Sequence, residues 1–215
     1  MNTCGSKSAT NSRAKHERYR KCMILRRAII VTGTPGTGKT ALAKRLAKAL
    51  GAQYLAIAEI AAKHKLFKGF DRERKSRIVD IPKIRSKVKS LLSKAELTVI
   101  DTHVPEGIVP EKMTKRVFVL RCHPRILVTR LRARGWRARK IKENVLAELL
   151  DTCLIASIKH YGRRRVVQLD TSQTTLRHSV ATAKRLATHR PPSSKLTVDW
   201  ITALQREGQL DRYLA

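Results

Sequence analysis

Eight residues carry the strongest chemical signal in the chain: Gly33, Thr34, Pro35, Gly36, Thr37, Gly38, Lys39 and Thr40. Their spacing satisfies G-x-x-x-x-G-K-[ST], with a β-branched apolar run before it and a helical repeat after it. Glycines at 33, 36 and 38 let the backbone curl until successive N–H groups point inward at an anion. The helix that follows turns its positive end to the same place. A lysine at 39 reaches the β- and γ-phosphates of a nucleotide, and a hydroxyl at 40 ligates Mg²⁺. A plain glycine turn does not explain the pairing of Lys39 with Thr40.

Further along, Asp101 ends a short apolar strand and His103 follows two residues later. Ligands of open α/β sheets sit at the carboxyl ends of strands. An aspartate there either holds the water shell of Mg²⁺ or caps a turn. If the chain stays extended, His103 points to the same side as Asp101. It then either positions a water or a phosphate, or is a structural histidine. A third cluster is arginine-rich: nine Lys/Arg and no acid lie between Arg121 and Lys142. Gly135 interrupts it, so a short lid is expected there. Arginines on a lid clamp a transferring phosphoryl group; the alternative is a solvated helix face. Trp136 either stacks a base or pins the lid.

These groups need a scaffold, and the periodicity supplies one. Strands are expected at 28–32, 53–57, 97–101, 116–120 and 166–169. Helices are expected from Ala41 to Leu50, from Ile60 to Leu66, through Ile84, Val88 and Leu92, and from Pro124 to Arg134. Two more follow: one through Ile141, Val145, Leu149 and Cys153, and one from Leu176 to Leu186. Strands alternating with helices imply a parallel sheet covered on both faces. Residues 191–215 read as a linker followed by an amphipathic helix through Trp200 and Leu204. Residues 1–26 are polar and basic, either a solvated tail or an arm that orders on RNA.

Composition narrows the class. The 215 residues hold 47 Lys/Arg against 16 Asp/Glu, a formal net charge of +31. Such charge favours a polyanionic partner, with RNA the obvious candidate. Aromatics are 4% of the chain, too few for an array of stacking platforms. The four cysteines show no zinc spacing and no disulfide framework, which points to a reducing cytoplasm. No uncharged apolar run approaches about 18 residues, so no membrane span is expected. No apolar segment follows the basic N-terminus, so no signal peptide is expected either.

With the glycine loop, the strand end and the lid in order, the chain resembles the atypical adenylate kinases of the isoenzyme 6 family, in its archaeal form. The stretches that carry the resemblance are GTPGTGKT at 33–40, LFKGFDRERKSRIVD at 66–80, VIDTH at 99–103 and RLRARGWRARKIKENVLAE at 130–148. It implies a three-layer P-loop NTPase fold of nucleoside monophosphate kinase type, with a five-stranded parallel sheet spanning 27–190. It also implies phosphoryl transfer from ATP to a nucleoside monophosphate, chiefly AMP, with Mg²⁺, together with ATP hydrolysis. On the matching positions Gly33, Gly36, Gly38, Lys39, Thr40, Ala41 and Arg134 would hold ATP. Thr40 and Asp101 would serve the metal, and His103 the attacking group. Residues 57–80 would form the monophosphate insert and 134–144 the lid. Partners implied by the resemblance are the pre-ribosomal small subunit, its rRNA and the eleventh small-subunit ribosomal protein.

One departure stands out. The family often places an arginine shortly after the acid that Glu59 matches, and this chain has Ala62 and Lys63 there. A dianionic phosphate prefers a guanidinium fork to a point charge. Either Lys63, Arg72 or Arg77 takes the role, or the monophosphate kinase activity is weak. Three functions follow: a kinase, an ATP-gated RNA-binding assembly factor, or an RNA-binding module with a relic loop. Intact Lys39, Thr40 and Asp101 argue against the last.

Overall fold

The computed structural model describes residues 28–72, 76–104, 107–189 and 198–214. The N-terminal extension and the linker residues 190–197 fall outside these residues. Five strands form one sheet: β1 (Ala28–Gly33), β2 (Gln53–Ala56), β5 (Thr98–Asp101), β6 (Thr114–Arg121) and β7 (Val166–Asp170). Their spatial order is β2-β5-β1-β6-β7, and every pairing is parallel. β1 is the central strand and all six of its residues are buried. Its apolar, β-branched run suits a strand covered on both faces.

Helices cover those faces. On one side Leu42 and Leu46 of α1 (Lys39–Leu50) and Ala183 and Leu186 of α7 (Leu176–Thr188) meet Ile29, Val31 and Phe118. On the other, Ile30, Ile100 and Val117 meet α2 (Ile57–Lys63), α3 (Ile81–Leu92) and α6 (Thr152–Tyr161). The Asp80 side chain accepts from Lys83 N and fixes the start of α3. A third apolar cluster joins α4 (Pro124–Arg132) and α5 (Ala138–Leu149) to α8 (Trp200–Arg206) and the last turn, α9 (Asp211–Leu214). The amphipathic C-terminal helix therefore packs on the core through Trp200 and Leu204.

Two elements differ from the sequence reading. The insert holds an antiparallel hairpin, β3 (Phe67–Asp71) with β4 (Ser76–Val79), where no strand was expected. Its residues lie mostly exposed, so burial left no alternating pattern to read. The helix expected through Ile141 and Cys153 is two helices. Asp151 takes a left-handed φ of 53° between them, and Cys153 belongs to the second.

Candidate functional site

Parallel register gathers the chemistry at one edge. Val31 lies beside Asp101, Ala56 beside Asp101 on its other side, and Gly33 beside Leu120. The loop 33–40, the end of β5 and the end of β6 thus share the carboxyl edge of the sheet. Gly33 has φ 136°, and a Cβ there would run into the Leu120 carbonyl. A Cβ at Gly36 would come within 2.8 Å of Leu127 Cδ1, so α4 sits directly on the loop. Gly38, at φ 93°, leaves open space on its Cβ side and leads into α1, where Lys39, Thr40 and Ala41 form the first turn. Thr37 Oγ1 donates to the Thr34 carbonyl at 2.8 Å, and Thr171 Oγ1 donates to the Thr37 carbonyl at 2.9 Å.

Thr40 Oγ1 donates to Asp101 Oδ2 at 2.6 Å. Two hard oxygen donors converge there, which suits Mg²⁺ with most of its water shell retained. Tyr54 Oη also donates to Asp101 Oδ2, at 3.4 Å; desolvation and then the Asp101 charge push its phenol well above the usual range. Lys39 Nζ donates to the Thr34 carbonyl at 3.1 Å. Burial lowers the Lys39 pKa, and the Asp101 carboxylate is the main opposing influence. The Arg134 charge also reaches Lys39, which brings the lid arginine into the field of the loop. Arg134 itself is exposed, just beyond the end of α4.

His103 is exposed along one edge. Desolvation of its ring, then the Lys39 charge, hold the imidazole below its usual range against the pull of Asp101. It also lines an apolar cavity of about 250 Å³ with Ile57, Ala61, Phe67, Val79 and Ile108, between the strand end and the insert. Glu59, Lys63, Arg72 and Arg77 are all exposed. The Arg77 guanidinium lies 5.0 Å from the Phe67 ring centroid.

The sequence reading missed a buried network behind the loop. Arg121 is 1% exposed. Its Nε donates to Glu148 Oε1 at 2.8 Å, Nη1 to Gln168 Oε1 at 2.6 Å, and Nη2 to the Glu148 carbonyl at 3.0 Å and to Asp151. Glu148 Oε1 also accepts from Cys122 N and from Trp200 Nε1. Arg121 is therefore structural and leaves the basic cluster expected to meet phosphate. So does Arg130, whose Nη2 donates to the Thr171 carbonyl at 2.7 Å. The available signal was an acid, Glu148, one helical position from two apolar residues, and only contacts distant in sequence give that meaning. Trp136 packs against the third cluster with Lys140 Nζ 4.5 Å from its ring centroid.

A parallel five-stranded sheet with this loop at its carboxyl edge defines a P-loop kinase. A family profile described as an AAA domain matches residues 29–151. The "Putative adenylate kinase" of Methanocaldococcus jannaschii is 33% identical over 172 residues, 80% of this chain and 92% of that protein. Its Pyrococcus abyssi counterpart is 40% identical over 148 residues, 68% of this chain and 76% of the relative. The adenylate kinase isoenzyme 6 homolog FAP7 of Saccharomyces cerevisiae is 37% identical over 142 residues, 66% and 75% of the two chains. The chain belongs to the adenylate kinase isoenzyme 6 family. In fold alone it is similar to shikimate kinase from Acinetobacter baumannii, at TM-score 0.51 and 19% identity over 82% of this chain and 99% of the other.

Proposed function

We propose that the protein transfers the γ-phosphoryl group of ATP to a nucleoside monophosphate, chiefly AMP, and also hydrolyses ATP. The carrying observation is the 2.6 Å contact of Thr40 with Asp101 at the mouth of the loop, beside the apolar cavity under the insert. Gly33, Gly36, Gly38, Lys39, Thr40, Ala41 and Arg134 hold the triphosphate. Thr40 and Asp101 would hold Mg²⁺, which would neutralise charge on the phosphates.

The cavity takes an apolar base face, and Glu59, Lys63, Arg72 and Arg77 surround the rest of the monophosphate. In transfer, an oxygen of the AMP phosphate bonds to the γ-phosphorus of ATP as the bond from that phosphorus to the β–γ bridging oxygen breaks, and ADP leaves with that oxygen. The attacking oxygen is already anionic, so no base is needed. In hydrolysis the nucleophile is water, which must lose a proton. We assign that proton to His103, whose lowered pKa keeps the imidazole neutral at pH 7.

The surplus of positive charge supports a role in late maturation of the small ribosomal subunit, against its rRNA and the eleventh small-subunit ribosomal protein, in the cytoplasm. A second reading, an ATP-gated assembly factor with weak kinase activity, is favoured by the Arg77 stack on Phe67. A coupled assay with Mg-ATP, with and without AMP, separates the two. AMP-stimulated ADP formation that Lys39→Ala removes supports the kinase. Turnover indifferent to AMP but raised by small-subunit rRNA supports the second reading.

A further inference from the structure

A second cavity is lined by no residue of the phosphate loop. It is a cleft of about 670 Å³ between α4, α5 and the C-terminal turn α9. That volume is in the range of about 300–1,000 Å³ usual for ligand clefts. Three of its guanidinium groups come from two separate segments: Arg125 and Arg132 on α4 and Arg212 on α9, all exposed. No aspartate or glutamate is among the residues that line it. Its floor is apolar, with Val128, Ile141 and Val145 beneath the arginines.

A further polar group on the wall lacks a partner. Gln209 lines the cleft, and its Oε1 is buried with no hydrogen bond. A buried acceptor without a donor costs about 1–3 kcal/mol. A ligand for this cleft therefore needs three things: anionic groups at arginine spacing, a flat apolar body, and an N–H or O–H to offer. Inorganic phosphate meets only the first. A nucleotide unit meets all three, through its phosphate, base face and base amine or 2′-hydroxyl. Exposed Arg137 and Lys140, at the start of α5, add positive charge next to the cleft, and Arg139 beside them pairs with Glu143.

We propose that this cleft is where the protein seats single-stranded RNA, with the backbone on Arg125, Arg132 and Arg212 and a base over the apolar floor beside Gln209. The assignment rests on the RNA partnership proposed above and gives it a location that shares Trp136, Ala138, Ile141 and Lys142 with the lid but no residue with the phosphate loop.

The test uses the full chain and a labelled twelve-nucleotide oligouridylate, with binding read by fluorescence anisotropy at several salt concentrations. Arg125→Ala/Arg132→Ala/Arg212→Ala is compared with Lys48→Ala/Arg177→Ala/Lys184→Ala. The second set removes equal charge from exposed positions on α1 and α7 that do not line the cleft. The cleft variant is expected to lose at least tenfold in affinity. Its log–log salt slope should shrink by about 2, at roughly 0.7 per phosphate contact on a single strand. The control set should lose less than threefold. Equal losses in the two sets, or none in the first, overturn the cleft assignment while leaving RNA binding intact. No RNA binding by the parent chain overturns both. ATP turnover, followed in parallel, is expected to stay unchanged in the cleft variant. Quenching of Trp136 by free AMP, unaffected by RNA, would assign the cleft to a mononucleotide and overturn the proposal.

Discussion

Thr34 Oγ1 donates to Glu148 Oε2 at 2.6 Å across a sequence separation of 114 residues. The other oxygen of the same carboxylate accepts from Arg121, Cys122 and Trp200. Four donors around one buried carboxylate tie the second residue of the phosphate loop to β6, α5 and the C-terminal helix. A fully satisfied network of this kind fixes geometry, and a broken one is costly because the partners stay buried.

Glu148→Gln removes the charge opposite Arg121 and puts an amide N–H₂ where only donors converge. Asp151 and Gln168 still face Arg121, so the expected loss is about 3 kcal/mol, at the low end for a broken buried pair. Urea denaturation measures it as a drop in midpoint with an unchanged slope. A loss below about 1 kcal/mol would mean that Arg121 finds water.

The role proposed for His103 predicts that hydrolysis and transfer respond differently to its loss. Its pKa lies below the ordinary 6.5, through desolvation first and Lys39 second. ATP hydrolysis is therefore expected to rise with pH up to a midpoint below 6.5 and then level off. His103→Ala should lower hydrolysis by about 10²-fold, the lower range for a lost general base, and leave AMP phosphorylation within about threefold. The same lowered pKa makes the unfolded chain bind the proton more strongly. The ring's contribution to stability is thus present above about pH 6.5 and lost as pH falls through the folded pKa. Lys39→Ala removes one lowering influence, so the His103 titration followed by NMR should move upward. Equal loss of both reactions in His103→Ala would reduce the residue to a structural part.

The sequence made the phosphate loop and the five strands legible, because both are written locally. The loop is one contiguous motif. β1, β5 and β6 are short apolar runs whose identity does not depend on what they pair with. Thr40 and Asp101 were also readable, since strand ends converge in any sheet of this order. The Arg121–Glu148 pair was not: an arginine inside a basic stretch reads as solvated until a carboxylate 27 residues away is placed against it. The exposed hairpin of the insert was lost for the opposite reason, as it has too little burial to impose a period.

The insert carries the question of substrate. Arg72→Ala and Arg77→Ala, tested singly, are expected to raise the KM for AMP by about tenfold, the loss of one charge-assisted contact near 1.4 kcal/mol. The KM for ATP should not move. Phe67→Leu, which removes the ring under Arg77, tests whether the 5.0 Å stack restrains that guanidinium. If it does, the KM for AMP falls. Unchanged AMP kinetics in all three variants would favour the assembly-factor reading.

Cys122 is fully buried, and burial pushes its thiol up to about 11. The thiolate is the reactive form, so at pH 8 this residue should resist iodoacetamide in the folded chain and react after denaturation. Peptide mapping by mass spectrometry reads the difference directly. Labelling of native Cys122 would show that β6 opens locally on the labelling timescale.

Trp200→Phe tests whether the C-terminal helix acts on the loop or merely packs. The substitution keeps most of the apolar volume and removes only the Nε1–H donated to Glu148 at 3.0 Å. Glu148 Oε1 keeps Arg121 and Cys122, so the expected cost is about 1.5 kcal/mol, as for one hydrogen bond to a charged group. If the carboxylate then shifts, Thr34 shifts with it, and the loop's carbonyl partner for Lys39 moves as well. The expected result is a rise of about threefold in the KM for ATP, well short of the tenfold that 1.4 kcal/mol would give. The rise should appear in Trp200→Phe and not in Leu204→Ala, which loosens the same helix without touching Glu148. Equal effects of the two variants on the KM would show that the helix reaches the loop only through general stability.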